Sequence, residues 1–228
     1  MTTQRQTLPN FLSICRWSEA LSDKELQRVA SEVTEKKVPS GGYVCRRGED
    51  VTSWIGVVDG LVKMSNLSPE GKRTTLTSVP TGGWFGEGSL LKDDPPRYDI
   101  LALRDSRIVC MPRATFDRLL NTNIGFNRFL LVQLNDRLGM FISPMENERL
   151  LEPDACVARS FGALFNPVLY PGIGRQLQIS KEEIGFLAGV SRQRVNQTLQ
   201  VLEKVGLLRV ECGDVRVADL ARLQSFGA

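Results

Sequence analysis

Residues 180–206, SKEEIGFLAGVSRQRVNQTLQVLEKVG, concentrate side chains that read or grip nucleic acid. If Ser191 begins a helix, Gln193, Asn196, Gln197 and Gln200 fall at i, i+3, i+4 and i+7 on one face, with Arg192 and Arg194 at its N-terminal end. An arginine fork bonds guanine bidentately, and Asn or Gln does the same for adenine. A second stretch, FGEGSLLKDDPPRYD from Phe85 to Asp99, suits a different ligand. Its Gly86-Glu87-Gly88-Ser89 turn offers backbone N–H groups, and Arg97, followed by Tyr98, offers a fork for a small anion. Asp93, Asp94 and Asp99 stand close enough in sequence to pair with Arg97 internally.

Other chemistries lack their residues. The chain has no histidine, which removes Ser-His, Cys-His and HExxH machinery and haem ligation through His. It has neither a GxxxxGK[ST] phosphate loop nor a GxSxG elbow. Cysteines 15, 45, 110, 156 and 212 are scattered without a CxxC pair, so no disulfide framework, zinc knuckle or iron–sulfur cluster is expected. Glu87 with Asp93 and Asp94 would be an acid–base set without a nucleophile, metal or cofactor loop, and no enzyme is expected. A net charge of +3 over 228 residues is too small to argue for nucleic acid by itself. No apolar run approaches the roughly 18 residues of a membrane span, and MTTQRQTLPN lacks the apolar core of a secretory signal. A cytoplasmic location without membrane attachment is the expectation.

The elements that would position these residues change character along the chain. ALSDKELQRVASEVTE, residues 20–35, reads as an amphipathic helix capped by Ser22, with Glu25 at the capping-box spacing. From Val38 the short runs YVCRR, WIGVV, LVKMSNL, RTTLTSV, DILALR and RIVCMP alternate with turn signals, the mark of an antiparallel sandwich or barrel. Residues 113–148 then carry Ile124, Asn127, Leu131, Leu134, Leu138, Phe141 and Met145 at 3-4 spacing, an a/d seam. Phe126, Phe129 and Leu130 give this helix a second apolar face, so it is expected to dock on its own domain and pair with a second copy. Ser143-Pro144-Met145-Glu146 looks like a new cap, predicting a break near Ile142. Pro153 is a plausible hinge, followed by a helix over 154–166 and an extended pair around RQLQIS.

The 180–206 segment then reads as a helix-turn-helix. Ser180 caps a first helix whose apolar face is Ile184, Leu187 and Ala188. Gly189 makes the turn, Val190 packs inside it and Ser191 caps the second helix. Val195, Leu199 and Leu202 face inward. Between Gly189 and Arg209, Arg192, Arg194, Lys204 and Arg209 outnumber Glu203, a local +3 suited to phosphates. A ribbon, LLRVECGDVRVAD, turning at Cys212-Gly213-Asp214, completes a winged helix. The segment is read as a DNA-binding domain in which Ser180, Ser191, Arg192, Gln193, Arg194, Asn196, Gln197 and Thr198 meet the duplex.

This order of parts resembles the Crp/Fnr family of transcriptional regulators, from about Leu21 to Val217. The resemblance lies in PSGGYVCRRGE, VVDGLVKM, SPEGKRTTLTSVPTGGWFGE and EEIGFLAGVSRQRVNQTLQVLE. It implies an α+β architecture in three parts. Residues 1–112 would form N-terminal helices and a double-stranded β-helix (jelly-roll) sensor barrel, residues 113–152 a long dimerisation helix with a hinge, and residues 153–228 the winged helix-turn-helix. Implied partners are a palindromic double-stranded operator, a second copy of the chain through Leu131, Leu134, Leu138, Phe141 and Met145, and RNA polymerase. The resemblance makes Phe85–Asp99 a phosphate-binding cassette for a cyclic nucleotide, cyclic AMP or another. Gly86, Glu87, Gly88, Ser89, Arg97, Tyr98 and Phe141 would line it, with Glu87 on the ribose hydroxyl and Arg97 on the phosphate.

The chain departs from that pattern. Tyr98 replaces the hydroxyl residue after the arginine, and Asp99 adds a negative charge. Phe141 and Ile142 stand where cyclic AMP binders place Thr and Ser against the base. Two alternatives remain beside an effector-gated regulator: an effector-independent one with a degenerate pocket, and a cyclic-nucleotide module acting on protein partners. The iron–sulfur and haem branches of the family lack their cysteines and histidine here. In the recognition helix Arg192 is kept while Gln193 and Gln197 replace a glutamate and an arginine, predicting an operator with more adenine-directed contacts.

Overall fold

Local sequence sets where the helices begin. Ser22 accepts the backbone N–H of Glu25, whose carboxylate accepts the Ser22 N–H at 3.0 Å, so the capping box closes and α2 (Asp23–Glu32) starts where expected. The computed structural model describes residues 7–67, 73–150, 152–171, 173–211 and 214–227. The chain divides into two compact units: Met1–Leu134 with Val168–Gly172, and Asn135–Pro167 with Ile173–Ala228.

The first unit opens with α1 (Leu8–Ile14), a 3-10 turn (Arg16–Ala20) and α2. Its strands are β1 (Thr34–Val38), β2 (Tyr43–Cys45), β3 (Ser53–Asp59), β4 (Leu61–Leu67), β5 (Arg73–Pro80), β6 (Trp84–Phe85), β7 (Asp99–Ala102) and β8 (Ser106–Pro112). Between β6 and β7 lies α3 (Glu87–Lys92), and after β8 come α4 (Arg113–Thr122) and α5 (Ile124–Leu150). The strands form two four-stranded antiparallel sheets, β1-β8-β3-β6 and β2-β7-β4-β5, the expected jelly-roll pair. The β3–β4 hairpin turns at Asp59-Gly60. Gly60 has φ +114, and a Cβ there would sit 2.3 Å from Ser106 Oγ, so the position admits only glycine.

Alternation decides what each sheet face meets. Trp54 pairs with Met111 and Gly56 with Val109 across β3 and β8, so Trp54, Met111 and Val109 point to one face. That face carries the main core with Trp84, Phe11, Trp17, Phe116 and Phe126 from the flanking segments. The Trp54 and Trp84 rings lie 4.4 Å apart, and Trp84 Nε1–H donates to Cys15 Sγ at 3.2 Å.

Two expectations for this region change. The segment TEKKV, whose start fell inside the expected 20–35 helix, is strand β1: the helix ends at Glu32, and Thr34 to Val38 find partners along β8. The break near Ile142 does not occur. α5 runs through Pro144 to Leu150, so the loss of one i→i−4 bond is borne inside a 27-residue helix.

The second unit contains the C-terminal part of α5 and then α6 (Pro153–Gly162), a 3-10 turn (Ala163–Phe165), β9 (Gln176–Gln178), α7 (Lys181–Ala188) and α8 (Arg192–Lys204). It ends with β10 (Leu208–Glu211), β11 (Asp214–Val217) and α9 (Leu220–Gln224), and its sheet runs β10-β11-β9. Phe161, Leu164, Ile184, Val195, Leu199, Leu202, Val215 and Leu223 are buried in it. The wing's Cys212-Gly213 turn lies outside the described residues.

Candidate DNA-binding and effector sites

The helix-turn-helix is built by caps and one close approach. Ser180 and Glu183 close a capping box at the start of α7. Gly189, at φ +67, ends the helix in the left-handed region. Ser191 then accepts the Arg194 N–H at 3.3 Å to start α8. Sequence reasoning missed Gly185. A Cβ there would lie 2.8 Å from the Val190 carbonyl, so this glycine inside a helix allows the turn to fold back tightly.

On α8, Val195, Leu199 and Leu202 are buried as expected, while Arg192, Gln193, Gln197 and Gln200 are exposed. Neighbouring charges hold several of the polar residues of α8. Arg192 Nη1 pairs with Glu182 Oε1 at 2.8 Å, both side chains being largely in solvent. Lys181 Nζ donates to Asn196 Oδ1, leaving Asn196 half-buried. Arg194 Nη2 pairs with Asp154 Oδ1 at 3.0 Å. Thr198 departs from its expected place on the duplex face: it is 0% exposed, and its hydroxyl donates to Asp154. It sits a helical turn beyond Arg194 on the side that packs inward. Ser180 and Ser191 are exposed and use their side-chain oxygens as the expected caps. The local count of +3 omitted Glu182 and Asp154, acids outside the counted window that the fold brings onto two of its arginines.

Along α5 both expected faces are present. Phe126 and Leu130 are buried in the first unit's core. Leu131, 68% exposed, Leu134, Leu138, 58% exposed, and Ile142 form an outward apolar row with Ile124. Asn127 leaves the seam and donates to the Leu120 and Asn123 carbonyls. The side chains of Phe141 and Met145 lie outside the described residues.

The cassette is organised differently from its sequence reading. Gly86, with φ +97, turns the chain from β6 into α3, and Glu87 opens that helix. Glu87 is only 3% exposed, and Trp54 Nε1–H donates to its Oε2 at 3.3 Å. Arg97 is exposed, and Tyr98 is half-buried. The nearby acids have other partners: Asp93 pairs with Arg113 at 3.1 Å, and Asp99 accepts the Arg47 N–H at 3.0 Å. Arg113 also donates to the carbonyls of Leu90 and Val51, pinning the end of α3 to the β2–β3 connection. This anchor, like Trp54, was not singled out in the sequence, because each gains its role only through a partner that the fold brings close. The carboxylate that the resemblance assigns to a ribose thus accepts from an indole N–H.

A jelly-roll barrel, a long helix with an outward apolar row and a winged unit with a polar recognition face together define a DNA-binding transcription regulator with a sensor of the cyclic-nucleotide-binding type. Residues 35–123 match the cyclic nucleotide-binding domain and residues 157–226 the Crp-like helix-turn-helix domain. The chain belongs to the Crp/Fnr family of regulators. It is 27% identical over 213 residues to the cyclic AMP receptor protein of Thermus thermophilus, covering 90% of this chain and 94% of that one. It is also 27% identical over 176 residues to the cAMP-activated global transcriptional regulator CRP of Haemophilus influenzae, covering 75% and 78%. The FixK2 structure from Bradyrhizobium japonicum shares the fold at a TM-score of 0.65 and 19% identity, over 86% of this chain and 98% of that one. Among the described residues no helix is long and apolar enough to cross a membrane.

Proposed function

We propose that two copies of the chain pair along the apolar row of α5 and set two α8 helices into successive major grooves of a palindromic operator. The observation that carries this reading is the outward row Arg192, Gln193 and Gln197 at the N-terminal half of α8. Arg192 reads a guanine in each half-site, and Gln193 and Gln197 read adenines, each bidentate pair being worth about 1–3 kcal/mol against the wrong base. Two-fold pairing puts the half-site centres about 34–36 Å apart. Selection of binding sites from a random duplex pool, followed by fluorescence anisotropy on the selected site, tests it. Arg192→Ala and Gln197→Ala each lower affinity by about tenfold or more, and a palindrome emerges from the selection. Wild-type affinity in both variants would sink the reading. Leu138→Asp should convert the sedimenting dimer to monomer.

The barrel supports a second, narrower proposal, motivated by the Glu87–Trp54 hydrogen bond. Operator binding is not gated by cyclic AMP in the manner of the named relatives, because the sugar-facing carboxylate is turned into the core. Titration calorimetry with cyclic AMP, cyclic GMP and cyclic di-GMP gives no saturable heat, and cyclic AMP leaves operator affinity unchanged. Saturable heat with cyclic AMP that disappears in Arg97→Ala would overturn this and make the cassette a working nucleotide site.

A further inference from the structure

We infer that Asp154 is a positioning residue for operator binding: it holds Arg194 back from the DNA backbone and anchors the recognition helix through Thr198. The inference rests on the proposal that α8 is the element DNA meets. Arg194 stands in the first turn of α8, where a free arginine would find a phosphate, and Thr198 stands one turn later on the same side. Both are drawn to one carboxylate oxygen. Asp154 Oδ1 pairs with Arg194 Nη2 at 3.0 Å and accepts the Thr198 hydroxyl. Asp154 occupies the first turn of α6, directly after Pro153, so the tie joins the start of one helix to the N-terminal half of another.

The surroundings fix this arrangement. Thr198 has no solvent exposure, so its hydroxyl has Asp154 in place of water as acceptor. Arg194 Nε is buried with no hydrogen-bond partner among the described residues, so the guanidinium is oriented by its Asp154 contact and not by a second acceptor. The Arg192–Glu182 pair differs, since both of its side chains lie largely in water. An Arg194 neutralised by Asp154, its side chain 37% exposed, releases no counterion when the protein binds DNA. Its charge should therefore be missing from the salt dependence of operator binding, although the sequence places it among the contacts.

Salt dependence reads this directly, because each phosphate neutralised contributes a slope of about −0.9 to log K against log salt. Operator affinity is measured by anisotropy from low to moderate KCl for wild type, Asp154→Asn, Arg194→Gln and the double variant, each checked for fold by circular dichroism. Asparagine keeps an acceptor for Thr198 and removes the charge holding Arg194. Asp154→Asn should steepen the slope by about 0.9 for each α8 engaged, or about 1.8 for a dimer on a full site. The double variant, which removes a neutral pair, should keep the wild-type slope. A double variant shallower than wild type by that amount would mean Arg194 already touches a phosphate, and the inference fails. An Asp154→Asn slope equal to wild type also overturns it. Thr198→Val tests the anchoring half: operator affinity falls several-fold at unchanged slope, and undiminished affinity refutes it. Gln197→Ala in the same assay separates the two levels. If it binds as tightly as wild type, the reading of α8 itself fails, whereas lost binding alongside a shallow double variant removes only the role of Asp154.

Discussion

The cassette and α8 both hold a candidate functional side chain in an internal tie, and the two ties differ in what it takes to break them. Glu87 lies in the barrel's core, 3% exposed, bonded by the Trp54 indole. Arg192 lies at the surface, with side chains 70% and 49% exposed across its pair with Glu182. A hydrogen bond to a buried charged group is worth about 1.5–3 kcal/mol, and unmaking it strands both partners away from water. An exposed ion pair is worth about 0–1 kcal/mol, and water replaces each partner at once. On the proposed reading DNA takes Arg192 from Glu182 almost freely, while a ligand would have to break the buried Trp54 bond to recruit Glu87. Burial, more than residue type, separates a side chain poised for a ligand from one locked into the fold.

The sharpest way to break this comparison is to remove the indole donor. Trp54→Phe takes away the N–H that meets Glu87 and part of a ring packed against Trp84, so urea unfolding should show a loss of about 2–4 kcal/mol. Glu87→Met alone leaves the indole without this acceptor and should cost about 1–3 kcal/mol. The double variant should cost clearly less than the sum of the two, since removing both polar partners is cheaper than orphaning one. Strictly additive losses would mean the two side chains are not coupled and that the indole does not hold Glu87.

A carboxylate held by cations sharpens the contrast within the same unit. Glu32 accepts from Thr115, from Arg118 at 2.8 Å and from Arg28 at 2.8 Å, joining α2 to α4. Desolvation pushes its carboxyl up, but the hydrogen bonds of Thr115, Arg28 and Arg118 outweigh it and hold the group down at about 2. A pKa lower in the folded than in the unfolded chain stabilises the fold above the ordinary carboxylate range and loses that contribution as pH falls towards 2. Unfolding measured between pH 5 and pH 2 should thus show an acid-side decline that is shallower in Glu32→Gln. An unchanged decline would mean the ion pairs do not form in solution.

Much of the architecture was legible because it rests on local signals. The capping boxes at Ser22 and Ser180, the turn at Gly189 and the alternating runs of the barrel each carry their own physical cause within a few residues. The a/d row on α5 was legible for the same reason, although Asn127 left it for nearby carbonyls. Strand β1 was hidden because TEKKV is polar and becomes a strand only by pairing with β8. At the site, the outward glutamines of α8 follow from helical period alone. The roles of Trp54, Arg113, Glu182 and Asp154 do not, because each acts on a partner that strand pairing or helix packing supplies. A charge count over a window of sequence cannot include an acid that the fold delivers from elsewhere.

The smallest effect is expected where the comparison predicts almost none. Glu182→Gln removes the carboxylate that holds Arg192 but leaves a polar side chain of the same length in α7. If the pair is only a resting place for Arg192, operator affinity rises by no more than about fivefold, the equivalent of roughly 1 kcal/mol. Part of that gain comes from removing a negative charge near the phosphates. It should therefore shrink at high salt, because screening acts most strongly on exposed charges. Discrimination against a changed guanine in the half-site should stay the same, since Arg192 makes the same contact once bound. A tenfold or larger gain, or a loss of guanine preference, would mean that Glu182 restrains or aims Arg192 in the bound state. The surface tie would then grip its arginine as firmly as the core grips Glu87, and solvent exposure would no longer explain the difference between them.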